Sequence, residues 1–86
     1  MNLEKTRKKI DLLDHQLVKL IAARSELGLE LGNYKKENNL PIQDRKRELE
    51  IIADRIVKFK ELGIDDEKFV KELFELIMKK SREMQK

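Results

Sequence analysis

The sequence predicts an all-α chain of three helices, one long and two shorter, on three observations. Charged residues make up 43 % of the chain and apolar residues 40 %, the mixture of long amphipathic helices rather than of sheets. One proline and three glycines leave few positions that break a helix. Apolar residues recur in alternating steps of three and four along most of the 86 residues, a length that fits one domain, residues 1–86.

The first helix is expected from about Leu3 to about Lys36, stopped by Asn38-Asn39-Leu40-Pro41. Leu3, Thr6, Ile10, Leu13, Leu17, Leu20, Arg24, Leu27, Leu31 and Tyr34 form a heptad seam, interrupted only at Thr6 and Arg24. At 1.5 Å per residue such a helix is about 50 Å long. A compact globule of this chain length has a radius of gyration of only about 12 Å. The helix must overhang a monomeric core, and its apolar seam continues along the overhang. Burying several Leu and Ile side chains there, at roughly 1.5–3 kcal/mol each, predicts a homodimer.

A second helix is expected to start near Asp44 as N-cap, with Leu49, Ile52, Ile56 and Phe59 on one face. Gly63 suits a left-handed stop. Asp65 or Asp66 then caps a third helix that runs to the end, with Val70, Leu73, Phe74, Ile77 and Met84 facing inward.

Several function classes fall away. Without cysteine there is no disulfide and no thiolate metal site, and His15, the single histidine, cannot make a histidine-rich one. No Ser–His or Cys–His arrangement and no glycine-rich phosphate loop is present, so neither conventional hydrolysis nor nucleotide chemistry is expected. No apolar run is long enough to span a membrane, and the N-terminus lacks a signal-peptide core, so the expectation is a cytoplasmic protein. The net charge of +3 leans towards anionic partners. Acids and bases alternate throughout, unlike the basic stripe of a nucleic-acid binder.

The informative positions are polar residues on apolar faces. Arg24 occupies the seam between Leu20 and Leu27, and a buried guanidinium needs an anion. That anion could be a core glutamate, or the side chain could snorkel to solvent. Lys35 follows eleven residues later, about 16 Å along the same side of the helix. Glu48 extends the Ile52–Ile56 face, with Asp44 one turn earlier and Arg47 adjacent. Ser81 and Gln85 prolong the Ile77 face with two hydrogen-bonding groups. Each of these could also be a frayed end or solvated surface, but together they describe a wet, charged pocket inside a helical bundle.

Arg7 lies about 25 Å from Arg24 and about 42 Å from Lys35 along one helix, too far to share a small ligand with both. Antiparallel pairing of two first helices about residues 18–20 would place it opposite a level between Arg24 and Lys35 of a second chain. Gly28 and Gly32, one turn apart, permit a close helix approach. Lys8-Lys9, Lys79-Lys80 and His15 read as solvated surface.

The run Arg7-Lys8-Lys9-Ile10-Asp11 with Leu13-Asp14, then Ala23-Arg24, Lys35, Pro41-Ile42, Asp44, Arg47-Glu48, Ser81 and Gln85, resembles the all-α chorismate mutases over essentially the whole chain. The resemblance implies an intertwined homodimer and the pericyclic rearrangement of chorismate to prephenate in Phe and Tyr biosynthesis, without metal or cofactor. It also implies roles. Arg24, and Arg7 from the partner chain, would grip the substrate carboxylates. Lys35 would reach a carboxylate and the ether oxygen, and Gln85 would donate to that same oxygen. Glu48, with Asp44 and Arg47, would orient the hydroxyl end, and Ser81 would assist at a carboxylate. Gln85 is the penultimate residue, so its turn is expected to fray. Other readings are an isochorismate pyruvate-lyase on a similar fold, disfavoured by Glu48 and the loop before Asp44, and a non-enzymatic helical interaction module. Fusion to another enzyme of aromatic biosynthesis stays open.

Overall fold

The structure is a computed structural model that describes residues 2–86. It contains α1 (Leu3–Glu37), α2 (Arg45–Glu61) and α3 (Glu67–Gln85), with no strand among the described residues. The long first helix and its stop before Asn38 are as expected.

Local chemistry sets each boundary. The Asn2 side chain accepts a hydrogen bond from Lys5 N–H at 3.0 Å, Asp44 from Arg47 N–H at 3.1 Å, and Asp66 from Phe69 N–H at 3.0 Å. Each satisfies a backbone donor that the first helical turn leaves free. At the end of α2, Gly63 takes φ +93° and its N–H reaches the Lys60 carbonyl, while Ile64 N–H reaches that of Phe59. This is the paired-bond stop that a left-handed residue allows. Asn39, φ +55°, stops α1 in the same way, with Leu40 N–H on the Lys35 carbonyl.

α3 is the central element, packing on both α1 and α2. Ile51, Ile52 and Met78 form the buried centre, with Ile56 and Phe74 against it. Phe59 meets Phe69 and Phe74 edge-on at 6.1 and 6.4 Å, which ties α2 to α3 near their connection. Two expectations need correction. Leu49, expected to face inward, is 52 % exposed, and Ile51 takes the buried place. On α3 Val70 is buried as expected, and Met78, which the pattern did not place inward, is buried as well, while Ile77 is half-buried. Leu49 and Ile51 flank Ile52 on opposite sides of α2, and Ile77 and Met78 point about 100° apart on α3, so the rotation of each helix about its own axis decides which is buried.

α1 meets α3 through its glycines. Gly28 and Gly32 are the buried residues of this helix, not the heptad seam. A Cβ at Gly32 would stand 2.6 Å from Gln85 Cα, and one at Gly28 would stand 3.2 Å from Ser81 Oγ. The two backbones therefore touch at the turn that carries Ser81 and Gln85.

The N-terminal half of α1 makes no such contact. Ile10, Leu13, Leu17 and Leu20 are all at least half exposed, and the chain extends 55 × 24 × 15 Å with a radius of gyration of 15.9 Å. The expected overhang is present.

Candidate active site

A cavity of about 280 Å³ opens where the three helices converge. α1 contributes Arg24, Leu27, Leu31 and Lys35, so part of the heptad seam forms its wall. Ile42 and Asp44 come from the connection, Arg47, Glu48 and Ile51 from α2, and Met78, Ser81, Arg82 and Gln85 from α3. Thus Arg24, Lys35, Asp44, Arg47, Glu48, Ser81 and Gln85, from three helices and one connection, line one space. Arg7 does not. It is exposed on the free half of α1, seventeen residues and about 25 Å of helix before Arg24.

At one end of the cavity, Lys35 Nζ donates to the Ile42 carbonyl at 2.7 Å and to Gln85 Oε1 at 2.9 Å. An ammonium can only donate, so it must face the oxygen of the Gln85 amide. The amide nitrogen is thereby turned towards Ser81 Oγ, 3.3 Å away. Lys35 has three protons and uses two; Gln85 Nε2 has two and uses one; the Ser81 hydroxyl accepts and keeps its own proton. Three donors therefore remain for an incoming acceptor. The expected fraying of Gln85 is not seen: it is the last residue of α3, partly buried and anchored to Lys35 across 50 positions of chain.

Arg24, half-buried, lines the cavity three helical turns before Lys35 on α1. Among the described residues no carboxylate pairs with it, so the core-glutamate reading is not what the chain adopts. Burial first, and the nearby Arg55 guanidinium second, push its pKa below the ordinary arginine value. Both influences penalise the cation, and an anion in the cavity would relieve both.

Glu48 pairs instead with Arg82 of α3, and Gln43 Nε2 donates to its other oxygen at 3.3 Å. Arg82 was not legible as a site residue, because the Ile77–Ser81–Gln85 stripe leaves it to one side. A clue lay in its spacing of four from Met78, whose burial only packing reveals. Asp44 lines the cavity while capping α2, which occupies one of its oxygens.

Four cationic side chains and two carboxylates line the cavity, an excess of two positive charges. Among the described residues no group of three or more His, Cys, Asp or Glu could hold a metal ion, and no helix is long and apolar enough to cross a membrane. The fold and this site define a small helical protein with a cationic, donor-rich pocket for a small anion.

Comparison with known proteins gives that class a family. The profile of chorismate mutase type II matches residues 6–86. The chorismate mutase of Methanocaldococcus jannaschii is 36 % identical over 85 residues, covering 98 % of this chain and 84 % of that one. A solved structure from Pyrococcus furiosus, described as a conserved hypothetical protein, is 38 % identical with a TM-score of 0.78, covering 98 % of this chain and 95 % of that one. The bifunctional chorismate mutase/prephenate dehydratase of Escherichia coli K12 is 33 % identical over 75 residues, which is 87 % of this chain but 19 % of that protein. The chain belongs to the chorismate mutase type II family. Its activity is that family's: it is an isomerase, a chorismate mutase. The reading as a non-enzymatic helical module is set aside.

Proposed function

We propose that the cavity binds chorismate and turns it into prephenate for aromatic amino-acid synthesis, and that each site is completed by Arg7 of a second copy of the chain. The observation that carries this reading is the convergence of seven expected polar residues on one cavity, with Arg24 lacking any carboxylate of its own.

The chemistry explains what the site contains. A pericyclic rearrangement breaks a C–O bond and forms a C–C bond within one molecule, with no nucleophile and no obligatory proton transfer. The protein must hold a flexible dianion in its reactive chair-like form and stabilise charge growing on the ether oxygen. Arg24 is free to take one carboxylate, and Arg7 of the partner the other. The unused protons of Lys35 Nζ and Gln85 Nε2 are close enough together to meet one oxygen, since their side chains already touch. Because Lys35 fixes the amide before substrate arrives, little reorganisation remains for the reaction step. The Ser81 hydroxyl is left for a carboxylate, and Glu48 with Asp44 and Arg47 for the hydroxyl end.

The exposed half of α1 supports the dimer. Its apolar seam has no partner within the chain, and pairing two such helices antiparallel would cover it while bringing Arg7 to the other cavity.

Mixed dimers test the shared site. Arg7→Ala and Arg24→Ala should each inactivate the homodimer. When the two variants are unfolded together in equal amounts and refolded, about half the dimers are mixed, and one of the two sites in each keeps both arginines. The mixture should recover about a quarter of wild-type activity. Verified exchange without any return of activity would show that Arg7 does not cross between chains. Product mass after incubation with chorismate or isochorismate separates the mutase from a lyase.

A further inference from the structure

Glu48 is the one buried charged residue of the described chain, 8 % exposed, although it stands on the wall of a cavity read as an anion site. A bare carboxylate there would oppose the substrate. Its surroundings show how the opposition is removed. Arg82 Nη1 bonds Glu48 Oε2, and Gln43 Nε2 donates to Oε1. Arg45 stands 3.8 Å away with 63 % of its side chain exposed, too far and too wet to balance the charge. Arg82 is by contrast only 26 % exposed, and it comes from the same turn of α3 as Ser81 and Gln85.

We propose that Arg82 is a positioning residue for Glu48, bridging α3 to α2 so that the carboxylate is held at the cavity wall and electrically balanced where an anionic substrate lies. This inference rests on the cavity being the substrate site. Removing one member of a buried pair leaves the other uncompensated. Without Arg82, Glu48 must either swing out to solvent, losing its place at the substrate, or stay and repel the dianion. The pair leaves Arg24, Lys35 and Arg47 as the cations not bound to Glu48, so the positive excess is spent on the ligand rather than on the wall.

A double-mutant cycle in the 86-residue chain tests this. Kinetics on chorismate and thermal midpoints are measured for Arg82→Met, Glu48→Gln and the double variant. Arg82→Met should lower kcat/KM by about 100-fold, the scale of a misplaced catalytic contact. In the double variant the amide needs no counter-ion, so adding Arg82→Met to Glu48→Gln should cost no more than about twofold. Arg82→Lys, which keeps the charge but not the planar fork, should return to within about tenfold of wild type. Losses that multiply in the double variant would overturn the proposal, because Arg82 would then act on the substrate by itself. So would unchanged kcat and KM in Arg82→Met, even with a lowered midpoint, since the pair would be only a structural brace. If Glu48→Gln alone is silent, the placement of Glu48 in the site fails first, and the inference about Arg82 falls with it.

Discussion

Gly32 is where a single methyl group should separate catalysis from stability. In Gly32→Ala the new Cβ would lie 2.6 Å from Gln85 Cα, 2.8 Å from its carbonyl oxygen and 2.9 Å from its Cβ. Carbon atoms settle about 3.5–4.0 Å apart, so the last turn of α3 must retreat by about 1 Å. That distance breaks the 2.9 Å bond between Lys35 and Gln85 and withdraws the amide from the ether oxygen it is proposed to serve. A displacement of about 1 Å typically costs about 100-fold in rate, so kcat should fall by about that factor. Stability moves less, because two effects oppose each other. Alanine gains about 1 kcal/mol over glycine inside a helix, while overpacking costs about 1–3 kcal/mol. The net change should be a loss of no more than about 2 kcal/mol, with the helix content retained. Steady-state conversion of chorismate and thermal unfolding are measured side by side. Gly28→Ala is the control: its nearest neighbour is the Ser81 hydroxyl at 3.2 Å, a side-chain atom that can rotate away. Wild-type kcat in Gly32→Ala would refute the reasoning, as would an equal loss in both variants.

Other expectations follow from the same geometry. Lys35→Ala should lower kcat by an amount equivalent to about 2.7–4 kcal/mol, and a rise in KM alone would make Lys35 a binding group only. The thermal midpoint should climb with protein concentration, since covering the exposed seam of α1 in the proposed dimer would link folding to association; a constant midpoint together with a monomeric mass in light scattering would contradict the dimer. Gly63→Ala should cost about 1–2 kcal/mol of stability without touching kcat, because φ +93° is strained for alanine although nothing lies within 4 Å of the added methyl. Chemical denaturation and activity assays read the two effects separately.

Much of this molecule was determined locally and was therefore legible in the chain. Asp44 and Asp66 cap helices because a carboxylate reaches the amide three residues on, and Gly63 ends one because it tolerates a left-handed turn. Arg24 and Lys35 share a side of α1, and Ser81 and Gln85 a side of α3, because helical periodicity alone sets those relations. Their family likeness, with the same polar positions in order, pointed to one pocket and one reaction. What periodicity leaves free is the rotation of each helix about its own axis, and that is decided by its neighbours. Ile77 and Met78 are both apolar, as are Leu49 and Ile51, so the pattern favours neither; packing against a second helix buried Met78 and Ile51. The same rotation turned Arg82 towards Glu48, a pairing across 34 positions that no local spacing announces. It also set the glycines of α1 against the final turn of α3, which is why Gln85 is held beside Lys35. Short-range hydrogen bonds and the 3.6-residue turn are properties of a segment; contacts between segments depend on shapes that exist only once all three helices are together.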